Sequence, residues 1–336
     1  MKRIAVIILN YNGAEMLARF LPNVIECSPE AAVYVADNGS TDNSVETARS
    51  VEGAEIISLP ENYGFAEGYN RAIARVDEEM VVLLNSDVMV SPRWLRPMTE
   101  YLDAHADVAA CQPKILSYRN MARFEYAGAA GGFIDKWGYP FCRGRIFDTV
   151  ETDHGQYDTV ADVFWATGAA LMVRRKAYVD NGGLDARFFA HMEEIDFCWR
   201  LRSRGMRIVC VPKSYVFHIG AATLKTTNPK KVYLNFRNNL LMLYKNTPEA
   251  RLAAVMRFRR VFDNVAAIKS LVCGDIGAFR AIRKARRDFA AMRPDFAAAR
   301  RENMAKTTVQ EIPQQLNDSI LRLYYIGMKH KYSQIQ

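Results

Sequence analysis

Glycine-rich phosphate loops are missing from this chain. No GxGxxG follows its first apolar run and no GxxxxGK[ST] occurs anywhere, which argues against a dinucleotide-dependent dehydrogenase or a P-loop NTPase. Long apolar runs are missing too, since none approaches the roughly 18 residues of a membrane span. The opening stretch MKRIAVIILNYNG has two basic residues and then an apolar run. That run stops at Asn10, too early for a secretory signal, and no small-residue cleavage site follows. Six cysteines (27, 111, 142, 198, 210 and 273) lie scattered, with no CxxC pair and no metal-finger spacing. They read as reduced, mostly buried thiols of a cytoplasmic protein. Repeats and low-complexity linkers are absent.

The 336 residues present are enough for one large domain and an appendage. Apolar runs over 4–9, 32–37 and 54–59 alternate with helical periodicity, and MVVLLNSDVMV (80–90) follows. Strand–helix alternation at about twenty-residue spacing predicts an α/β fold, a mostly parallel central sheet flanked by helices. A helix is expected around 66–76, with Ser40 or Thr41 capping the helix after the second strand. The run MVVLL reads as a strand buried on both faces. It ends at Asn85-Ser86-Asp87, which puts Asp87 at the carboxyl edge, where open α/β sheets bind ligands. The other polar strand ends are Asn10–Asn12 and Asp37. Residues 126–144, rich in glycine and aromatics, read as a long loop or hairpin, and 164–173 as a strand. A further strand over 206–212 leads to His218.

Glu193, Glu194 and Asp196 open a helix that follows the aromatic pair Phe188-Phe189. Carboxylates suit a helix N-terminus. Apolar company would also raise their proton affinity, as a general base working near neutral pH requires.

Six ordered segments together resemble the family 2 glycosyltransferases of the GT-A fold, and within them the bacterial rhamnosyltransferase-like branch. They are ILNYNG, VADNGSTDNS, NYGFAEGYN, LLNSDV, the GALMVRR-like segment 168–175, and GGLDARFFAHMEEIDFCWRLRSRG, and the match spans roughly residues 3–245. The resemblance implies that Tyr11 and Asp37 contact the base of a nucleotide-sugar donor (dTDP- or UDP-linked), with Asn62, Gly64 and Asn70 in the loop and helix packed against the nucleoside. It implies Mg²⁺ or Mn²⁺ on Asp87, bridging the donor diphosphate, with His218 near the metal. Asn85 stands where many relatives carry a first Asp. Glu194, or its neighbour Glu193, takes the place of the family's catalytic Asp and would deprotonate the acceptor hydroxyl, so that the anomeric centre inverts. The expected acceptor is a saccharide or a polyprenyl-linked saccharide of surface polysaccharide synthesis, with rhamnose the first donor sugar to try. A catalytically weak sugar-nucleotide-binding or scaffold protein is the alternative, supported by Asn85 and the Glu-Glu pair. A sugar-1-phosphate nucleotidyltransferase would need a glycine-rich basic loop after the first strand, which is missing. Asp185, Phe188, Phe189, Trp137 and Trp165 could line subsites or be ordinary core.

Two regions are expected, a catalytic domain over 1–227 and a helical C-terminal extension over 228–336. The net charge of +8 is concentrated in the second: 251–301 holds thirteen Lys/Arg against four Asp/Glu. Leu252, Val255, Met256, Phe262, Val265 and Leu271 keep helical spacing among arginines. Such basic amphipathic helices suit peripheral contact with an anionic membrane, lying on its inner face without spanning it. No recognition motif accompanies the charge, which argues against nucleic acid. A last helix near 316–324 could pack on the domain or on a second copy of the chain.

Overall fold

The computed structural model describes residues 2–220 and 228–335. The first half alternates as the apolar runs require: β1 (Ile4–Asn10), α1 (Ala14–Cys27), β2 (Ala31–Asn38), α2 (Ser44–Arg49), β3 (Ala54–Leu59), α3 (Gly64–Ile73) and β4 (Met80–Asn85). Then come β5 (Val88–Val90), α4 (Leu95–Ala104), β6 (Val108–Ser117) and the short strands β7 (Gly132–Asp135), β8 (Pro140–Cys142), β9 (Arg145–Ile146), β10 (Thr149–Val150) and β11 (Ala161–Asp162). The sheet-bearing part closes with β12 (Ala170–Arg174), α5 (Arg175–Asp180), α6 (Glu193–Ser203) and β13 (Arg207–His218). Beyond it lie α7 (Pro229–Asn246), α8 (Glu249–Val272), α9 (Ile276–Met292), α10 (Ala297–Lys306), β14 (Gln315–Leu316) and α11 (Ile320–Tyr325).

Among the described residues nine strands form the main sheet, in the order β11-β13-β6-β12-β4-β1-β2-β3 with β5 on β13. Strands β1 to β4 are parallel, whereas β12 runs antiparallel between β4 and β6. Period-two alternation explains why the continuous apolar runs were needed. Val6, Ile8, Val82 and Leu84 pack on one face against Leu17 and Leu21 of α1 and Met98 and Leu102 of α4. Ala5, Ile7, Val81 and Leu83 face the other side with Tyr69 and Ile73 of α3 and Phe197 of α6. That second core continues into Leu241 and Leu243 of α7, Phe296, Ile320 and Tyr332. A five-stranded sheet, β10-β9-β8-β7-β14, ties the C-terminal strand to the hairpin formed from 126–144.

Several local expectations are corrected. The helix near 66–76 starts two residues earlier and ends at Ile73. Only Ala170–Arg174 of 164–173 is strand, because Thr167-Gly168-Ala169 turns the chain into it. Asn43, without a side-chain bond, caps α2; the Ser40 hydroxyl is drawn away to Asn10 Nδ2 (3.2 Å) and Asn12 N (2.9 Å), stitching two loops together. The stripe on α8 is also misplaced: Val255 is buried, but so are Arg259, Asp263 and Ala267, while the aliphatic residues of its second half face outward.

Candidate active site

Parallel pairing brings three polar strand ends to one edge. Asn10 lies opposite Asp37, and Leu9 opposite Asn85. Asp37 Oδ2 accepts from Ser40 N–H (3.2 Å), but its buried Oδ1 has no partner, and neither has the buried Oδ1 of Asn10. An unsatisfied buried acceptor costs about 1–3 kcal/mol, so both are groups that a ligand N–H would relieve. Tyr11, beside them, holds its ring half-exposed.

The next wall is the 60–66 loop. Asn62 Oδ1 accepts from Gly64 N (2.9 Å) and from Asn38 Nδ2 (3.2 Å). Gly64 has φ +77°, and a Cβ there would run into the Phe189 ring. Asn70 accepts from the Tyr178 hydroxyl (2.7 Å) and Leu184 N (3.0 Å) and donates to Leu184 O (2.8 Å). The Asn70 amide and the Asn62 Oδ1 are thus engaged within the protein and shape the wall.

At the end of β4, Asp87 is nearly buried, with Oδ1 3.1 Å from His218 Nε2. The Nδ1 of His218 lies 3.4 Å from Glu125 Oε2, and Asn85 Nδ2 lies 3.4 Å from Nε2. Burial alone would lower the imidazolium; Asp87 and Glu125 on either side outweigh it and push His218 up to about 10. The cradle therefore favours a positive charge. Asp87 fits as an oxygen donor to Mg²⁺ or Mn²⁺, ions that complete their shell with substrate phosphates and water, and His218 could add a nitrogen donor only by releasing its proton. Among the described residues no three His, Cys, Asp or Glu side chains converge as a closed metal cage.

The carboxylates of α6 stand across the turn that precedes β12. Asn85 N donates to Ala169 O (3.0 Å), and a Cβ on the adjacent Gly168 would sit 3.9 Å from the Glu194 Cβ and 3.0 Å from Phe65. One turn therefore separates the end of β4 from Glu194. Burial pushes Glu194 up to about 6, with backbone N–H groups of the helix start partly opposing. Glu193 is buried, and desolvation and the neighbouring Glu194 raise it well above the usual range. An Oε2 of each has no partner. The partly exposed residue of the two is Glu194.

The segment leading into α6 is held open by force. Phe189, His191 and Met192 have φ of 67°, 71° and 73°, a left-handed backbone that costs about 1–3 kcal/mol per residue. Buried Asn238 of α7 directs its amide to the carbonyls of Phe188 (3.0 Å), Ala190 (2.8 Å) and His191 (2.7 Å). Phe65 N donates to Phe189 O (2.7 Å), so the 60–66 wall and the Glu194 segment move as one. Burial and Lys231 push His191 down to about 4, leaving it neutral at pH 7. Behind α6, Lys245 Nζ contacts both Asp185 and Asp196 at 2.7 Å, and Asn246 adds a 2.7 Å bond to Asp196.

Asp185 thus belongs to an ion-pair network. Burial would raise it, but Arg187 and Lys245 hold it well below the usual carboxylate range. Phe188 is fully buried, Trp137 stacks on Phe258 (4.1 Å), and Trp165 donates to Phe133 O (2.9 Å), so these three are structural. Phe189, half-exposed, borders the cleft. Glu125, Asn238 and Lys245 carry no motif of their own; the apolar spacing of α7 signals only that it is a helix.

A carboxylate–histidine pair, two unpartnered acceptors and a raised glutamate thus lie along one edge of the sheet. The family model described as glycosyl transferase family 2 matches residues 5–155 of this chain. Among curated relatives, the N-acetylglucosaminyl-diphospho-decaprenol L-rhamnosyltransferase of Mycobacterium tuberculosis is 27% identical over 230 residues, spanning 63% of this chain and 75% of that protein. Rhamnosyltransferase WbbL of Escherichia coli K12 is 24% identical over 224 residues, 63% of this chain and 82% of that one. Among solved structures, the mannosyltransferase PcManGT from Pyrobaculum calidifontis, in complex with GDP-Man and Mn²⁺, superposes with TM-score 0.53 at 16% identity, covering 90% of this chain and 87% of its own. The fold is accordingly of the GT-A type, and the chain is a glycosyltransferase.

Proposed function

We propose that this protein is an inverting glycosyltransferase that moves a hexose, rhamnose first, from a dTDP- or UDP-linked donor to a saccharide or polyprenyl-linked saccharide in surface polysaccharide synthesis. The observation that carries the reading is the meeting of Glu194 with the Asn85–Asp87 strand end across the Gly168-Ala169 turn. Asp37 Oδ1 is suited to accept the N3–H of uracil or thymine, and Tyr11 to lie against the base. Asp87, with His218 beside it, would hold a divalent cation, which would supply charge neutralisation for the departing diphosphate. Glu194 takes the proton of the acceptor hydroxyl. The acceptor oxygen bonds to the anomeric carbon as the bond from that carbon to the phosphate oxygen breaks, on the opposite face. Glu193, buried and of higher proton affinity, keeps its proton and holds Glu194 as the single charge.

Two relatives named as rhamnosyltransferases support the sugar, and the decaprenol in one name supports a lipid-linked acceptor. Residues 1–227 would form the catalytic unit and 228–336 a buttress in peripheral contact with the inner face of an anionic membrane, since no helix among the described residues is long and apolar enough to cross one. The test is transfer from dTDP-rhamnose with Mn²⁺, followed by NMR. The expected product has the opposite anomeric configuration to the donor, and chelator abolishes its formation. Retained configuration, or full rate in chelator, would contradict the proposal.

A further inference from the structure

The second half of α8 is built inside out. Its inward residues include Arg259 and Asp263, paired at 3.1 Å, and Asp263 also takes Arg286 of α9 at 2.7 Å. Its aliphatic residues Val261, Val265, Ile268 and Val272 recur at helical spacing and face solvent, between 54% and 81% exposed. Ile276, at the start of α9, extends the stripe around the tip of the α8–α9 hairpin at 51%. A continuous aliphatic stripe in water marks a surface that something else covers.

The surroundings of the stripe specify what. Arg257, Arg260, Lys269 and Arg280 flank it, all exposed. The nearest carboxylates are engaged, Asp263 inward and Asp275 capping α9 through Ala278 N (2.8 Å). Beside the tip a groove of about 410 Å³ opens between the first turns of α7 and α9, with mainly apolar walls formed by Tyr233, Ala281 and the stems of Lys230, Arg280 and Lys284. Lys284 is tied to Asp288, but Lys230 and Arg280 have no carboxylate partner among the described residues. A second copy of this chain would set one basic rim against another. Nucleic acid would leave the aliphatic centre wet.

We propose that this face docks on an anionic phospholipid bilayer, the stripe entering the headgroup–acyl boundary and the exposed basic rim meeting headgroup phosphates. The inference rests on the transferase reading and deepens it. Lys230 Nζ lies 5.4 Å from the Phe189 ring, which borders the cleft, so the docked face holds the cleft close to the membrane where a polyprenyl-linked acceptor would reside.

Flotation of the full chain with phosphatidylcholine vesicles, with and without phosphatidylglycerol, tests the face. Wild type is expected to float only with the anionic vesicles. Val265→Glu/Ile268→Glu and the separate Arg280→Glu should each lower the partition coefficient by about tenfold or more. Both sites are exposed, and unchanged circular dichroism would confirm folding; if the double variant misfolds, Arg280→Glu decides alone. Failure of wild type to float, or equal flotation of a folded variant, overturns the proposal. So does a wild-type dimer in ultracentrifugation that Val265→Glu/Ile268→Glu turns into monomer. Binding of dTDP with Mn²⁺, followed by calorimetry, should be the same in wild type and variants. Its absence in wild type would count against the transferase reading, whereas flotation judges the docking face independently.

Discussion

A glutamate that must act as a base near neutral pH has to be costly to ionise, and Glu194 is. Burial places it at about 6, so the rate of transfer should rise through pH 6 and level above it. The same shift acts on stability with a definite sign. A carboxyl whose folded value lies above its ordinary one favours the fold at pH below that ordinary value and loses its contribution as pH rises through 6. Glu194→Gln removes the loss and should stabilise the protein by about 2 kcal/mol at pH 8 and hardly at all at pH 4, read from denaturant midpoints. A flat pH–rate profile would separate Glu194 from the proton transfer. Asp87 and Glu194 were legible in the sequence because each stands at an element boundary with distinctive neighbours. Glu125 was not. It reaches His218 from a distant loop, and nothing in its local sequence signals which carboxylate will face an imidazole across a sheet edge.

At the scale of elements, the strained segment 189–192 joins the 60–66 wall to α6, and α7 holds it through one amide. Asn238→Ala removes three acceptor contacts at once and should destabilise the fold by about 1–3 kcal/mol. Its larger effect should fall on turnover, with dTDP affinity nearly kept; equal losses in both would mean that Asn238 merely supports the fold. Strands buried on both faces were readable from unbroken apolar runs, and β3 over 54–59 agrees residue for residue. The failures have one cause. Tertiary partners redirected groups whose local pattern pointed elsewhere: Ser40 left the helix start for two asparagines, and α8 turned its charged pair inward to meet Arg286.

Across the whole molecule, the catalytic sheet and the C-terminal helices share one apolar core, and an ion-pair cluster pins them together behind the site. Lys245→Ala would leave Asp185 with Arg187, and Asp196 with Arg200 and Asn246, but remove the cation that joins them, at a cost of about 1.5–3 kcal/mol by chemical denaturation. A change under about 1 kcal/mol would show that the C-terminal helices are held some other way. No spacing rule could have paired residue 245 with 185 and 196, because the contact exists only once α7 has packed on α6.

The account depends most on one carboxylate taking one proton. Single-turnover transfer by Glu194→Gln, measured with Mn²⁺ and saturating dTDP-rhamnose, tests it directly. The expected result is a fall of about two to four orders of magnitude in turnover with donor affinity unchanged. Turnover equal to wild type would contradict it.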